Sequence, residues 1–302
     1  KPDEIMFDIE EFIIAVYVQI DARLTTLLDL YPARARGFEP SLSDAEVITL
    51  EVVGEFLGYH TDIGIWRYFR RHWASWFPSL GHRSTFVRQA ANLWAYKQQL
   101  HQQLLKDLRA EDADLFRVDG FPIPVCGFKR APQCQVFKGD ASFGKSATKL
   151  GTFYGFKGHL LINADGLIMG LGIAAANVDE RDLVPELVTG LEGLLLGDKG
   201  YLRPALTLEL AKQGLQLLTP TKRNMKQQLT AQQSQRLCRC RQLVEAVIGH
   251  LCHWVDIERV RARDLWHLTS RLARKLLAHT LMVFLNRAHQ RSPLHFDGII
   301  LD

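Results

Sequence analysis

Residues 115–119 read Leu-Phe-Arg-Val-Asp, and residues 120–126 continue as Gly-Phe-Pro-Ile-Pro-Val-Cys. The first four side chains are mainly apolar, aromatic or β-branched, which predicts a short strand that ends on Asp119. Pro122 and Pro124 exclude a helix at this point, because proline lacks the N–H that a helix interior requires. The working groups of open α/β sheets gather at strand ends. The stretch therefore predicts an α/β sheet with a carboxylate at its edge.

A second short strand also ends on an aspartate. Residues 194–196 are leucines, and residues 197–201 follow as Gly-Asp-Lys-Gly-Tyr. If the two strands are neighbours, Asp119 and Asp198 lie together and can share hard divalent cations such as Mg²⁺, which prefer carboxylate oxygens. The alternative is that each aspartate only caps the turn or helix after its strand.

The surrounding sequence alternates strands and helices. Residues 126–150 are rich in Gly, Lys and Ser without an apolar period, which predicts a mobile loop. Two β-type runs, over residues 153–162 and 167–175, flank an Asp-Gly hairpin signal. A further strand is predicted over residues 215–218, and helices over about residues 181–192, 204–213, 226–252 and 264–289. This order is typical of a mixed sheet flanked by helices.

Residues 1–112 have a helical pattern instead. Ser43 and Glu46 form a capping box before an apolar helical stripe, and further helices are predicted to begin near Asp62 and Ser84. Short helices with a basic middle member resemble a helix-turn-helix module that lies on DNA, whereas a plain helical bundle is the alternative. The basic side chains of the middle helix are Arg67, Arg70 and Arg71.

Charge is distributed unevenly along the 302 residues, whose net charge is +4. Residues 199–302 carry 17 Lys and Arg against 7 Asp and Glu, whereas residues 1–112 carry 12 against 16. The C-terminal excess predicts a polyanionic partner, and a solvated basic surface is the alternative.

Composition also bounds the compartment. No apolar run approaches the roughly 20 residues that cross a bilayer, so no membrane segment or membrane partner is expected. Five cysteines without a disulfide-like pattern favour reduced thiols in the cytoplasm. The spacing of Cys238, Cys240, Cys252 and His253 does not fit the usual zinc sites.

Four motifs resemble the DDE transposases of bacterial insertion sequences. They are Val-Asp-Gly-Phe-Pro-Ile-Pro-Val-Cys at residues 118–126, Phe-Lys-Gly at 137–139, Tyr-Gly-Phe-Lys-Gly-His-Leu at 154–160, and Gly-Asp-Lys-Gly-Tyr at 197–201. The first is most similar to the insertion sequence 982 family. The resemblance spans about residues 115–260 and implies a ribonuclease-H-like core. The expected fold is α/β, with a helical DNA-binding block over residues 1–112 and a catalytic core over residues 113–302.

The resemblance implies that Asp119 and Asp198 are the first two catalytic carboxylates. Residues 241–245, Arg-Gln-Leu-Val-Glu, resemble the Arg-x-x-x-Glu core of the family signature, which implies that Glu245 is the third. A surface ion pair one helical turn apart is the alternative, and Glu209 and Glu258 are the competing acids.

The signature is incomplete in this chain. Related families have a Tyr three residues before the Arg and a Lys seven residues after the Glu, where this chain has Cys238 and Cys252. Any DNA-positioning role of that Tyr and Lys is therefore absent or taken by neighbours such as Arg239 or His253.

The family resemblance implies metal-dependent DNA chemistry. Two Mg²⁺ ions about 3.5–4 Å apart, with Mn²⁺ as a substitute, would activate the attacking oxygen and stabilise the leaving oxygen. Basic residues that flank the strands are candidates for phosphate contacts, although each one singly fits a solvated surface. The candidates are Lys138, Lys157, Lys199, Lys222, Arg223, Arg239 and Arg241, together with Arg67, Arg70 and Arg71 of the helical block.

The expected function is that of a transposase, which cleaves DNA at the ends of an insertion sequence and joins the 3′-hydroxyl ends to target DNA. Its expected partners are double-stranded DNA, in the form of terminal inverted repeats and target, and a second copy of the chain on the DNA ends. Two alternatives stay open. One is an inactive or domesticated DNA-binding protein of the same fold, and the other is a purely hydrolytic nuclease.

Overall fold

The computed structural model describes residues 6–34, 36, 39–146, 151–221 and 230–300. The chain forms two compact units, which are described separately below. A helical unit comprises Lys1–Leu108 and Trp254–Asp302, and a sheet unit comprises Arg109–His253. The functional division expected at residues 112 and 113 stays a prediction, since the compact units divide the chain at other positions.

The helices and strands follow the order expected from the sequence. The helices are α1 (Ile9–Leu30), α2 (Asp44–Phe56), α3 (Asp62–His72), α4 (Arg83–Asn92), α5 (Trp94–Asp107), α6 (Glu180–Leu187), α7 (Pro204–Lys212), α8 (Ala231–Val255) and α9 (Leu265–Ala288). The strands are β1 (Leu115–Gly127), β2 (Ser142–Ser146), β3 (Gly151–Asn163), β4 (Ile168–Ala175), β5 (Gly193–Leu196) and β6 (Leu215–Leu218). None of the helices in these ranges combines the length and apolar character that a membrane-spanning segment requires.

Helix α2 begins at the capping box expected from the sequence, because the side chains of Ser43 and Glu46 each accept a backbone N–H from the other residue. The helix predicted from Ser84 onward is divided in two. The carbonyl of Ala90 accepts hydrogen bonds from Lys97 Nζ at 2.9 Å and Ser270 Oγ at 3.0 Å, and α4 ends two residues later. Side-chain donors have thus replaced the next helical N–H at this carbonyl.

A buried ionic network crosses the helical unit. Glu51, Glu55 and Asp62 are at most 5 % exposed and lie on α2 and α3. Each carboxylate accepts hydrogen bonds from cationic side chains of α5 or α9, which satisfies the rule that buried charges are paired. The cations are Lys97, Arg271, Arg274 and Lys275. Some basic residues of the C-terminal third therefore neutralise acids near the N-terminus. The charge count along the sequence overstates the number of basic side chains that could bind a polyanion.

The sheet unit is built on a six-stranded mixed sheet with the order β2-β3-β1-β5-β6, and β4 pairs with β3. β1 and β3 are antiparallel, whereas β1, β5 and β6 are parallel neighbours. The hairpin of β3 and β4 turns at Gly166, whose φ of +81° suits glycine. The expected class, a mixed α/β sheet flanked by helices with a helical N-terminal region, is confirmed.

The two faces of the sheet are covered by different helices. On one face, Phe116 and Val118 pack in a core with buried residues of α6 and α7. On the other face, Leu196 packs with Leu237 of α8, and Leu115 and Leu194 lie against this pair. Because alternate residues of a strand point to opposite faces, Asp119 shares the α8 face with Leu115.

Strand β1 is longer than the sequence predicted. It continues past Asp119 through Pro122 and Pro124, and both prolines pair with β3. β5 pairs with β1 only over Leu115–Arg117, so in the described part of the chain the other edge of β1 is open beyond this point. A proline nitrogen that faces an open edge removes no ladder hydrogen bond, so both prolines are tolerated.

The loop predicted over residues 126–150 is also partly wrong. Phe128–Gln133 form a 3₁₀ helix, and Ser142–Ser146 form β2 on the far edge of β3. β2 contains three glycine or serine residues, one lysine and one aromatic residue, a composition that gives no apolar period. Pairing with the long β3, and not local pattern, makes this segment a strand. Residues 147–150 lie outside the described ranges.

Candidate active site

The two aspartates lie side by side because their strands are parallel neighbours. The register pairs Leu115 with Leu194 and Arg117 with Leu196, and two further residues along each chain are Asp119 and Asp198. Asp119 lies inside β1 and not at its end, but it stands just beyond the point where β5 pairing stops. Asp119 is half-buried and Asp198 is exposed. The structure thus brings the two predicted carboxylates to one edge of the sheet.

Each aspartate is oriented by a glycine N–H. Gly120 N donates to Asp119 Oδ1 at 2.8 Å, and Gly200 N donates to Asp198 Oδ1 at 2.7 Å. Asp198 in this way caps the 3₁₀ turn Lys199–Tyr201, so the capping role considered from the sequence is present. These bonds involve only Oδ1 of each aspartate, and capping and ligand binding are therefore compatible.

Helix α8 brings an ion pair to the same face of the sheet. Arg241 Nε and Glu245 Oε1 are 2.7 Å apart, and their side chains are 69 % and 51 % exposed. The pKa of Arg241 is raised by the hydrogen bond and charge of Glu245, and also by the charges of Asp119 and Asp198. Both the ion pair and proximity to the aspartates are therefore present at this position.

The charges of the three acids act on one another. Burial raises the pKa of Asp119 to about 6, and the negative charges of Asp198 and Glu245 add to this effect. The Gly120 N–H and the Arg241 guanidinium act in the opposite direction without cancelling it. The cluster is therefore short of positive charge, and a cation that binds there would favour the ionised acid.

The donor set fits a hard divalent cation in its chemistry. Carboxylate oxygens are the ligands that Mg²⁺ and Mn²⁺ take in proteins. Within the described residues, no group of three or more His, Cys, Asp and Glu side chains is close enough to hold a metal ion.

Comparison with known proteins identifies the family of this sheet unit. Residues 109–265, more than half of the chain, match the family described as transposase DDE domain. The chain belongs to this family. No curated protein matches. A solved structure of a piggyBac transposase synaptic complex with hairpin DNA is similar at a TM-score of 0.48 and 8 % identity, covering 96 % of this chain and 78 % of that one.

The basic residues expected to contact DNA lie in different surroundings in this transposase. Lys199 is exposed immediately after Asp198, and Lys138 is exposed in a turn before β2. Lys157 is 23 % exposed and forms an ion pair with Glu180, and Arg241 pairs with Glu245. Lys222 and Arg223 lie outside the described residues, as does the side chain of Arg239, whereas α3 exposes Arg67, Arg70 and Arg71.

The competing acids have distinct positions. Glu209 is an exposed residue of α7, on the opposite face of the sheet from α8. Glu258 follows α8 in a turn of the helical unit. Neither residue contributes to the pKa of Asp119 among its main causes, whereas Glu245 does.

Sequence reasoning missed three polar side chains beneath the aspartates. Glu180 begins α6, and Tyr201 and His159 are at most 1 % exposed, with Tyr201 Oη and His159 Nδ1 3.5 Å apart. Burial raises the pKa of Tyr201, and Glu180, Asp119 and Asp198 raise it further. Tyr201 lies in the quoted Gly-Asp-Lys-Gly-Tyr motif, but no sequence signal connects Glu180 to it.

Proposed function

We propose that this chain is an insertion-sequence transposase that cuts DNA at the ends of its element and joins the 3′-hydroxyl ends to target DNA. The observation that carries the proposal is that parallel pairing brings together Asp119 on β1 and Asp198 just after β5, near Glu245 of α8, within a transposase DDE domain. The motif around Asp119 favours the insertion sequence 982 group within that family.

Asp119, Asp198 and Glu245 would hold the divalent cations, Mg²⁺ or Mn²⁺. When bound, these ions supply a lowered pKa for the attacking water or hydroxyl and stabilise the leaving oxygen of the phosphodiester. Gly120 N–H and Gly200 N–H orient the two aspartates through one oxygen each. Arg241 forms an ion pair with the Glu245 carboxylate when no cation is bound to that carboxylate.

DNA phosphates would be held by cations around this edge. Lys199 stands next to Asp198, Lys138 precedes β2, and Lys157 lies on β3. The exposed Arg67, Arg70 and Arg71 of α3 supply a second basic surface on the helical unit. Both surfaces would bind double-stranded DNA, the terminal inverted repeats and the target, with two copies of the chain at the paired ends. Because phosphate contacts release counterions, binding should weaken steeply with salt.

The proposal is tested with duplexes that carry the terminal inverted repeats flanking the gene. Wild-type protein should nick these ends and join them to target DNA in Mg²⁺ or Mn²⁺ but not in Ca²⁺, whose looser coordination does not align the reacting oxygens. Asp119→Asn and Asp198→Asn should lower both steps at least a thousandfold while DNA affinity stays within a few fold. Equal rates in Ca²⁺ or chelator would exclude the metal mechanism.

The same assay separates the alternatives. Cutting without joining would indicate a hydrolytic nuclease, and binding without either step would indicate an inactive or domesticated DNA-binding protein. The presence of all three acids in the matching family domain favours the transposase.

A further inference from the structure

Glu180 stands beside both turns that carry the aspartates. A Cβ placed on Gly120 would lie 3.7 Å from Glu180 Cδ, and a Cβ placed on Gly200 would lie 3.6 Å from Glu180 Oε2. These are the two glycines whose N–H groups donate to Asp119 and Asp198. One carboxylate group therefore lies beside both orienting turns, close enough that a side chain on either glycine would contact it.

The start of α6 is fixed to the segment that follows Asp198. Asp179 caps α6 and forms ion pairs with Arg181 at 2.5 Å and with Arg203 at 2.9 Å. Arg203 also pairs with Asp182 at 2.5 Å. Since Arg203 directly precedes α7, these bonds connect the first turn of α6 to the chain just after the Asp198 turn. Glu180 is therefore held in place by its own helix and does not depend on the aspartates.

Lys157 balances the charge of Glu180. Lys157 Nζ donates to Glu180 Oε1 at 3.1 Å, which leaves Oε2 toward Gly200. Lys157 lies on β3 opposite Pro122 of β1, three residues beyond Asp119. Because Lys157 neutralises it, the Glu180 carboxylate can fill the space beside the two turns without repelling Asp119 and Asp198.

We propose that Glu180 is a positioning residue for Asp119 and Asp198, and that its Lys157-paired carboxylate sets the separation of the Gly120 and Gly200 turns. The inference deepens the proposed function, because the spacing of the two aspartates determines how they share divalent cations. Glu180 acts through the glycine turns and does not itself bind the cation. An amide side chain of the same shape should therefore serve nearly as well.

The first test measures amide hydrogen exchange in the full chain without metal or DNA. Glu180→Ala should speed exchange at the N–H groups of Gly120 and Gly200 about tenfold or more, because the turns lose their neighbour. Glu180→Gln should exchange within about threefold of wild type, as should Glu186→Ala, a matched change at an exposed position of α6. Unchanged exchange in Glu180→Ala would overturn the inference, whatever the chain does to DNA.

The second test measures Mn²⁺ binding by calorimetry. Glu180→Ala should weaken Mn²⁺ affinity about tenfold, and saturating Mn²⁺ should restore most of the cleavage rate, while Glu180→Gln stays close to wild type. An equal loss in Glu180→Gln and Glu180→Ala would assign Glu180 as a ligand and overturn the positioning role. A wild-type chain that binds no Mn²⁺ would contradict the proposed function, and the exchange experiment would still decide the role of Glu180.

Discussion

Each unit of the chain holds a group of three carboxylates, and the two groups differ in what balances their charge. In the helical unit, Glu51, Glu55 and Asp62 are buried against four cationic side chains. In the sheet unit, the described residues supply the other group with one bonded cation, the Arg241 that pairs with Glu245. The first group has its counter-charges built into the fold, whereas the second does not.

The difference appears in the pKa values of Glu55 and Asp119, although at Glu51 burial outweighs the neighbouring cations and the pKa is raised. Burial alone would raise the pKa of Glu55, but Lys275, Arg274 and His60 lower it to about 2. Burial raises the pKa of Asp119 to about 6, and neighbouring acids add to the rise. Cationic side chains that belong to the fold suit a structural role, since they neutralise the acids without any bound ion. A group of acids without fixed counter-charges suits a site whose positive charge arrives with a metal ion.

The largest expected effect is the loss of catalysis on neutralising Glu245. Glu245→Gln should lower cleavage and joining by several orders of magnitude with little change in thermal stability, because the side chain is half exposed and its role is in the reaction. Single-turnover cleavage rates measure the effect. Glu209→Gln and Glu258→Gln are the matched controls and should remain active. Near-normal joining by Glu245→Gln would show that Arg241 and Glu245 form only a surface ion pair and that Glu245 has no role in catalysis.

The next effect concerns stability and belongs to the helical unit. Arg274 is fully buried and bonded to Glu51, Glu55 and Asp62. Arg274→Met should lower the free energy of unfolding by about 3–5 kcal/mol, because buried carboxylates lose a shared partner. All six tryptophans of the chain lie in the helical unit, so tryptophan fluorescence in urea reports on this unit. Loss of less than about 1 kcal/mol would mean that the remaining cations suffice.

Sequence reasoning succeeds for features that depend on residues close together in the chain. Asp119 and Asp198 lie on or just after short apolar runs, and local pattern is enough to place Asp119 on a strand and Asp198 directly after one. The hairpin of β3 and β4 and the capping box of α2 are likewise set by neighbours in sequence. These features depend on interactions a few residues apart, which a single sequence records.

Features that depend on distant partners were missed. The prolines of β1 lie in a strand because of its pairing with β3 and its open edge, and β2 forms on the far side of the same strand. The basic excess over residues 199–302 predicted a polyanionic partner, whereas two of its residues, Arg274 and Lys275, neutralise Glu55 of α2. Glu180 comes close to both glycine turns only through the packing of α6 on the sheet. Composition and period carry no record of these contacts.

A smaller effect should distinguish the two groups by pH. The pKa of Asp119 is about 6 in the folded chain, against an ordinary value of 3.8. Ionisation of Asp119 therefore lowers the stability of the folded chain as the pH rises from about 4 to 6, and the full loss is present above pH 6. Without metal, Asp119→Asn should therefore be more stable than wild type by about 1–2 kcal/mol at pH 8 and equal to it at pH 3. Calorimetric unfolding of the sheet unit measures this.

Metal ions supply the control for that experiment. With saturating Mn²⁺ at pH 8, wild type should gain stability that Asp119→Asn does not, because only the folded wild-type site binds the ion. Glu55 has the opposite sign, since its lowered pKa contributes stability above pH 4.5 that is lost as the pH falls toward 2. A stability difference between wild type and Asp119→Asn that is the same at pH 3 and pH 8 would contradict the raised pKa.

The smallest effect is expected at Arg241, the one bonded cation of the sheet-unit group. Its pair with Glu245 is exposed and one helical turn apart, so Arg241→Gln should change the free energy of unfolding by only about 0.3–0.5 kcal/mol. The same change should strengthen Mn²⁺ binding about two- to fivefold, because a positive charge that acts on Asp119 and Asp198 no longer competes with the ion. Calorimetry without DNA measures the affinity, and Lys212→Gln, an exposed charge removal on α7, is the matched control. Weaker Mn²⁺ binding by Arg241→Gln would mean that Arg241 holds Glu245 in position for the metal, so that this ion pair, like those of the helical unit, is a fixed part of the fold.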